Sequence, residues 1–153
     1  MDENTLIIVI KIALGILAFI GVRLFQRYYK QKGWRKVNKL FAPEVVQAIH
    51  NFYPAQAIVE RREDKLTAYC KSPFDSLNRR IFGRITLLHL AAALGRKDSC
   101  IILMKYGVNI YEQGAEMFPT DEQGLTPVEW AKKFRHRHTA RMIEKYAQKH
   151  LKK

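Results

Sequence analysis

TLLHLAAALG, residues 86–95, decides how this chain is read. Forty positions later Thr126, Val128 and Ala131 stand where Thr86, Leu88 and Ala91 stand, and Ala140, Met142 and Ile143 answer Cys100, Ile102 and Leu103. Self-similarity at a period of a few tens of residues marks a repeat array, in which each unit buries its apolar face against the next. Arrays of this kind carry binding surfaces rather than catalytic machinery.

Both stretches resemble the ankyrin repeat. In the first copy the likeness rests on Gly83, Thr86, Leu88, His89, Ala91, Ala92, Gly95, Cys100, Ile102, Leu103 and Gly107; in the second it rests on Asp121, Gly124, Thr126, Pro127, Val128, Ala131, Ala140, Met142 and Ile143. The resemblance implies a polar turn leading into a Thr that caps a short helix, two small residues for close packing, a Gly that ends the helix, and a return helix. It also implies that His89 hydrogen-bonds within its turn, and that the turns between units project as fingers which line a binding face together with the first helices. Partner contacts are then expected at Ala93 and Leu94, at Lys133 and Phe134 in the second copy, and on the fingers.

Three departures mark the copies as imperfect. Leu87 replaces the usual Pro, Glu129 stands in the place of the His, and Arg135 replaces the inter-helix Gly, which costs strain wherever that position needs a positive φ. The second copy reads as a terminal cap, since end units drift from the pattern. A forty-residue spacing against the family's thirty-three leaves seven extra residues, within YEQGAEMFPT at 111–120. Tyr111, Glu112, Glu116, Met117 and Phe118 there place apolar anchors beside acids, as interface hot spots do. A tolerated surface insertion is the other reading, because loops accept length cheaply.

Upstream, residues 6–25 form an apolar run interrupted only by Lys11 and Arg23. From Thr5 to Val22 a helix would extend about 27 Å, enough for a hydrocarbon core, with Lys11 snorkelling to the N-terminal interface. A cleaved signal peptide would open on basic residues, whereas Asp2 and Glu3 stand here without an A-x-A site before Arg23. An in-plane helix needs a strong polar face, which Ile12 to Val22 lacks. A single transmembrane span is therefore expected.

Charge gives that span a direction. Arg23, Arg27, Lys30, Lys32, Arg35, Lys36 and Lys39 follow it with no acid among them, so the positive-inside rule puts the remainder in the cytoplasm and the N-terminus outside, across the inner membrane if the source is bacterial. Phe25, Tyr28, Tyr29 and Trp34 interleave with these cations, as rings at headgroup level do. Arg23, Arg27, Tyr28, Tyr29, Lys30, Trp34, Arg35 and Lys36 are the expected membrane-interface residues, either as an ordinary topogenic stop or as a lipid-recognition segment. The formal charge of +13 sits at the ends. Between residues 40 and 131 ten Lys or Arg face eleven Asp or Glu, while beyond 131 nine cations face Glu144 alone. That basic C-terminal helix suits an anionic bilayer, an acidic protein or nucleic acid; with Tyr146 nearly its only aromatic, nucleic acid is the poorest fit.

Residues 26–42 form the basic juxtamembrane segment, with Gly33 an expected break. Pro43 is an expected first helical position, with Val45, Val46, Ile49 and Phe52 following at helical spacing. Ala55 to Arg62 reads as helix, or as one arm of a hairpin with Leu66 to Cys70; residues 66–85 read as turn or loop. Two units bury too little on their own, so residues 43–82 must cover the first as a worn repeat or as an unrelated helical cap. Val46, Ile49, Phe52, Ile58, Leu66, Phe74, Leu77 and Ile81 are the candidate core there.

Chemistry-bearing residues are sparse. Cys70 and Cys100 match no zinc spacing or disulfide framework, and Cys100 reads as a small core residue in a reducing compartment. His136 and His138 flank Arg137 in what reads as a solvated basic loop, and Asp98 and Glu129 show no evident partner. No phosphate loop or nucleophile motif is present in the sequence, so no catalytic set, metal or cofactor is expected. The expectation is a mainly α protein: a short non-cytoplasmic N-terminus (1–5), a transmembrane helix (6–25), the basic segment (26–42), a helical cap (43–82), one repeat (83–110), an enlarged finger (111–120) and a second repeat ending in a basic helix (121–153). Its expected work is to tether a protein partner at the cytoplasmic face of a membrane. Neutralising a dedicated toxin or effector, as an immunity protein or chaperone, is the alternative.

Overall fold

The computed structural model describes residues 3–72, 79–106, 111–112, 115–117 and 119–151, and side chains within 4–72, 79–106 and 119–149. It is mainly α, opening on one long apolar helix, α1 (Glu3–Leu40). Seven helices follow: α2 (Pro43–His50), α3 (Tyr53–Glu60), α4 (Glu63–Cys70), α5 (Leu87–Leu94), α6 (Lys97–Lys105), α7 (Pro127–Lys133) and α8 (Arg137–Leu151). Two hairpins complete the described elements, β1 (Arg80–Phe82) with β2 (Ile85–Thr86), and β3 (Tyr111–Glu112) with β4 (Ala115–Met117).

Helices α3 to α8 form three stacked pairs. First helices α3, α5 and α7 pack side by side, as do the return helices α4, α6 and α8. The turn inside each pair is built alike. Arg61, Gly95 and Arg135 occupy it with φ of 57°, 67° and 64°, and the next residue's N–H reaches back to a first-helix alanine carbonyl. Those bonds are Arg62 to Ala57 at 2.8 Å, Arg96 to Ala91 at 2.8 Å, and His136 to Ala131 at 2.7 Å. This left-handed stop closes a helix by giving its last carbonyls a donor. The expected strain at Arg135 is present, and Arg61 shares it.

Residues 53–71 therefore form a helix pair of the same build as the two copies read in the sequence, and the hairpin alternative falls away. Part of the region expected as turn or loop is ordered: α4 runs to Cys70 and β1–β2 occupies 80–86. Capping explains the later starts. Thr86 accepts from the His89 N–H while the His89 ring accepts from the Thr86 N–H, and Thr126 and Glu129 repeat that reciprocal arrangement. Glu129 thus has a partner that the linear reading did not give it.

One apolar core links all three pairs, from Val37 through Ile49, Ile58, Leu66, Leu88 and Leu103 to Ile143 and Ala147. Of the candidate core residues, Ile49, Phe52, Ile58 and Leu66 are buried and Ile81 packs on the core. Val45 rather than Val46 is the buried member of α2, because α2 turns that stripe inward; Val46 packs at its edge. Phe74 and Leu77 lie outside the described residues.

Gly33 does not break α1. It is buried mid-helix, where a Cβ would run into the Val59 carbonyl and lie 3.1 Å from its carbon, so its lack of a side chain lets α1 and α3 approach. Tyr29, Gly33, Trp34, Lys36, Val37 and Leu40 form the one face of α1 that is withdrawn from solvent. By contrast, every residue from Asn4 to Tyr28 is exposed around the full circumference. This first part holds the single described helix window long and apolar enough to cross a membrane, with a mean hydropathy of 2.7.

Candidate functional site

The docked end of α1 runs along the stack. Near Tyr29 it meets the first pair, where Arg61 lies 5.1 Å over the Tyr29 ring and Lys30 Nζ is 3.0 Å from Glu60 Oε1. Lys36 reaches the second pair, donating to the Leu94 carbonyl at 3.2 Å. Phe41 reaches the third, its ring centroid 5.7 Å from that of Trp130 and 6.4 Å from that of Phe134. Twelve residues of helix span about 18 Å, which is two steps at the usual spacing of packed helices of about 9 Å. The stack axis therefore follows α1, and the α7–α8 pair lies at the far end.

This docking relocates several expected site residues. Ala93 and Leu94 are buried, at 0% and 3% exposure, so they offer no surface to a partner. Phe134 is half-buried against Phe41 and Trp130, and only Lys133 of that pair is exposed. Of the first helices, α1 packs chiefly on α3, and it reaches α5 through the bond from Lys36 to the Leu94 carbonyl.

Trp34 is likewise absent from any headgroup-level ring. It stacks on His50 at 3.7 Å with the planes 2° apart, and its Nε1–H donates to Glu60 Oε1 at 3.2 Å. Tyr29, Lys30 and Lys36 meet the stack, Lys30 while still exposed, and Arg23, Arg27, Tyr28 and Arg35 are exposed as well. The expected membrane-interface set divides into an outward group and a docking group.

The β1–β2 turn meets the segment that follows the second hairpin. Arg84, in the β1–β2 turn, donates to the Thr120 carbonyl at 3.2 Å, and Gly83 lies against the Glu122 carboxylate. The enlarged finger is a hairpin pairing Tyr111 with Met117 and Glu112 with Ala115, and it carries Glu116. Its side chains, and Phe118 altogether, lie outside the described residues. Tyr53 and Phe82, exposed at 49% and 44%, are further apolar anchors that the linear reading did not single out.

Comparison with known protein families, curated proteins and solved structures returns no match. What the site can do rests on its own geometry.

Its histidines and acids serve the scaffold. His89 is fully buried, with Nε2 donating to the Leu125 carbonyl at 3.1 Å and Nδ1 held by Thr86, a structural use of the kind expected. Burial pushes the Asp121 carboxyl up, but bonds from Leu125, Trp130 Nε1 and Gln123 overcome this and hold it below the ordinary carboxylate range. Burial, with Asp98 nearby, raises the Cys100 thiol to about 12, so it is unreactive. Among the described residues no group of three His, Cys, Asp or Glu could hold a metal.

His136 is not the solvated loop residue expected. It packs on Gly95, and the Lys36 ammonium lies 2.7 Å from its Nε2. Burial, then Lys36, lower its pKa, with Arg96 adding to the effect and a bond to the Ala93 carbonyl opposing it. His138 is exposed.

Cavities flank the docked part of α1, and two of them reach the stack. One, of about 830 Å³, mixes Arg23, Arg27 and Lys30 with Glu60, Glu63 and Asp98. The other, of about 470 Å³, is lined by cations without a carboxylate.

Proposed function

We propose that this chain is a single-pass membrane-anchored protein of ankyrin type that holds a protein partner at the cytoplasmic face, on the hairpin edge of its stack. The observation that carries this reading is the path of α1, which passes without interruption from a fully exposed apolar stretch into contact with the stack, chiefly against α3. Lipid is the solvent that suits the first part, since hydrophobic side chains around the whole circumference have no cover from the chain itself. The cations after Val22 direct the stack inward. The hairpin edge is the surface we assign to the partner, and Tyr53 and Phe82 add exposed apolar area to it.

The geometry alters how the tether works. A helix that docks within about 10 Å of the end of the span leaves no flexible linker, so a partner is held at a set height and orientation. The start of α8 meets α1 through the contact of His136 with Lys36, about 21 Å along α1 from Val22 and more than two Debye lengths from the leaflet. A protein rather than a lipid surface is the better counterpart for its basic face.

Crosslinked affinity capture tests the edge. A variant with Tyr53, Phe82, Tyr111, Met117 and Phe118 changed to Ala should lose the partners that the native chain recovers; equal recovery by both would remove the hairpin edge from consideration. Topology is tested separately with Lys149→Cys in a Cys70→Ser background, where Cys100 stays silent. A membrane-impermeant maleimide should label it only after the membrane is opened.

A further inference from the structure

We propose that the cavity between α1 and the inter-helix turns binds a multiply charged phosphate group. It encloses about 470 Å³, within the range of small-molecule sites. Lys32, Arg35, Lys36 and Lys39 line it from one face of α1, Arg61 and Arg96 from the first two turns, and His136 from the third. No carboxylate is among its lining residues, whereas the neighbouring cleft sets Glu60, Glu63, Asp64 and Asp98 among its cations.

The cations are held there at a cost. Arg96 is fixed by a bond from Nη2 to the Val59 carbonyl at 3.0 Å, while its Nε is buried with no partner among the described residues. Burial and Arg61 bring Arg96 down to about 10, against a smaller opposing pull from Glu63. Burial, Arg96 and Arg61 lower Lys36. Like charges in a concave, partly desolvated place repel one another and concentrate anions. Phosphate supplies what the cavity lacks: several negative oxygens that match guanidinium forks and point-charge ammoniums alike.

Arg61, which takes the left-handed turn position in the first pair, lies over the Tyr29 ring and lines this cavity. Two sources present the required chemistry, a soluble polyphosphate and a phosphorylated lipid headgroup. Tyr29, at one end of the cavity, lies about 10 Å along α1 from Val22.

The test uses the full chain in detergent micelles at about 150 mM salt, titrated calorimetrically with inositol hexakisphosphate, and the full chain in phosphatidylcholine vesicles with or without phosphatidylinositol bisphosphate. Changing Lys32, Arg35 and Lys39 together to Gln, all at exposed positions, should weaken binding about tenfold or more. Arg141, Lys145 and Lys149 changed together to Gln remove equal charge from α8 and should leave it unchanged. Occupancy should also raise the His136 pKa, read from its ring resonances. Stronger binding in the lipid arm assigns a headgroup, and equal or stronger binding of the soluble probe assigns a free phosphate; either outcome supports the site. Absence of binding in both arms, equal losses in the two triple variants, or an unmoved His136 would overturn it.

Discussion

The two parts of α1 are one helix in two surroundings. From Asn4 to Tyr28 every residue of the helix is exposed, and its glycines Gly15 and Gly21 have no atom within 4 Å of where a Cβ would stand. From Tyr29 to Leu40 it carries a stripe at helical spacing, and Gly33 is pressed on the Val59 carbonyl. The same residue type thus has opposite meanings a few turns apart. Composition decides the outer part, where any apolar residue serves; shape decides the docked part, where side chains must fit α2 and α3.

The largest test of that difference is Gly33→Leu. Its side chain has backbone in its way, which cannot swing aside, so docking should fail at a cost of about 3 kcal/mol or more. Gly15→Leu and Gly21→Leu should leave thermal unfolding of the stack unchanged in detergent. Hydrogen exchange of α3 read alongside would separate undocking, which speeds it, from general unfolding, which speeds α5 and α6 as well. Should Gly33→Leu behave like Gly21→Leu, the close approach of α1 and α3 is wrong. Val37→Ala comes next. Val37 is wholly buried while Val22 is 55% exposed, so the same truncation should cost about 2 kcal/mol at the first and almost nothing at the second by chemical denaturation.

How far the sequence carried this picture depends on what a residue reports. Thr86, the paired alanines and Gly95 speak of local geometry, and the pair α5–α6 stood where they indicated. Pro43 and the stripe from Val45 to Phe52 did the same for α2. The first pair was hidden because Arg61 occupies the turn position where a glycine would have announced it, and because Phe52 and Ala55 replace the Thr and His of the capping box. Gly33 misled for a related reason: a helix break and a close contact call for the same residue, and only the neighbour tells them apart. The surroundings of Leu94 and Ala93 were equally out of reach, since Lys36 bonds the first from over fifty residues earlier in the chain and His136 the second from over forty residues later. Arg135 gives this point a measurable form. Replacing it with Gly removes the left-handed penalty in the third pair and should stabilise the stack by about 1 kcal/mol, seen as a raised midpoint of denaturation.

The smallest effect concerns the junction that makes the docked part of α1 sensitive to pH. His136 faces Lys36 from α1, Arg96 from the second turn and the Ala93 carbonyl, and its pKa lies below the ordinary 6.5 because burial and the two cations disfavour its charged form. The unfolded chain therefore takes up this proton at higher pH than the folded one. Stability from this group is fully present above about pH 6.5 and is lost as pH falls through the lower folded value. The melting temperature should thus decline on acidification through that window, and His136→Gln should flatten the decline without altering the plateau at higher pH. Carboxylates such as Asp121 give way in a more acidic range, so the two are separable in one titration. Because the ring is partly exposed, salt should shrink the contribution of Lys36 and leave that of burial. A decline of unchanged size in His136→Gln would mean that the docked end of α1 is not held through this contact, and the comparison between its two parts would then rest on Gly33 and Val37 alone.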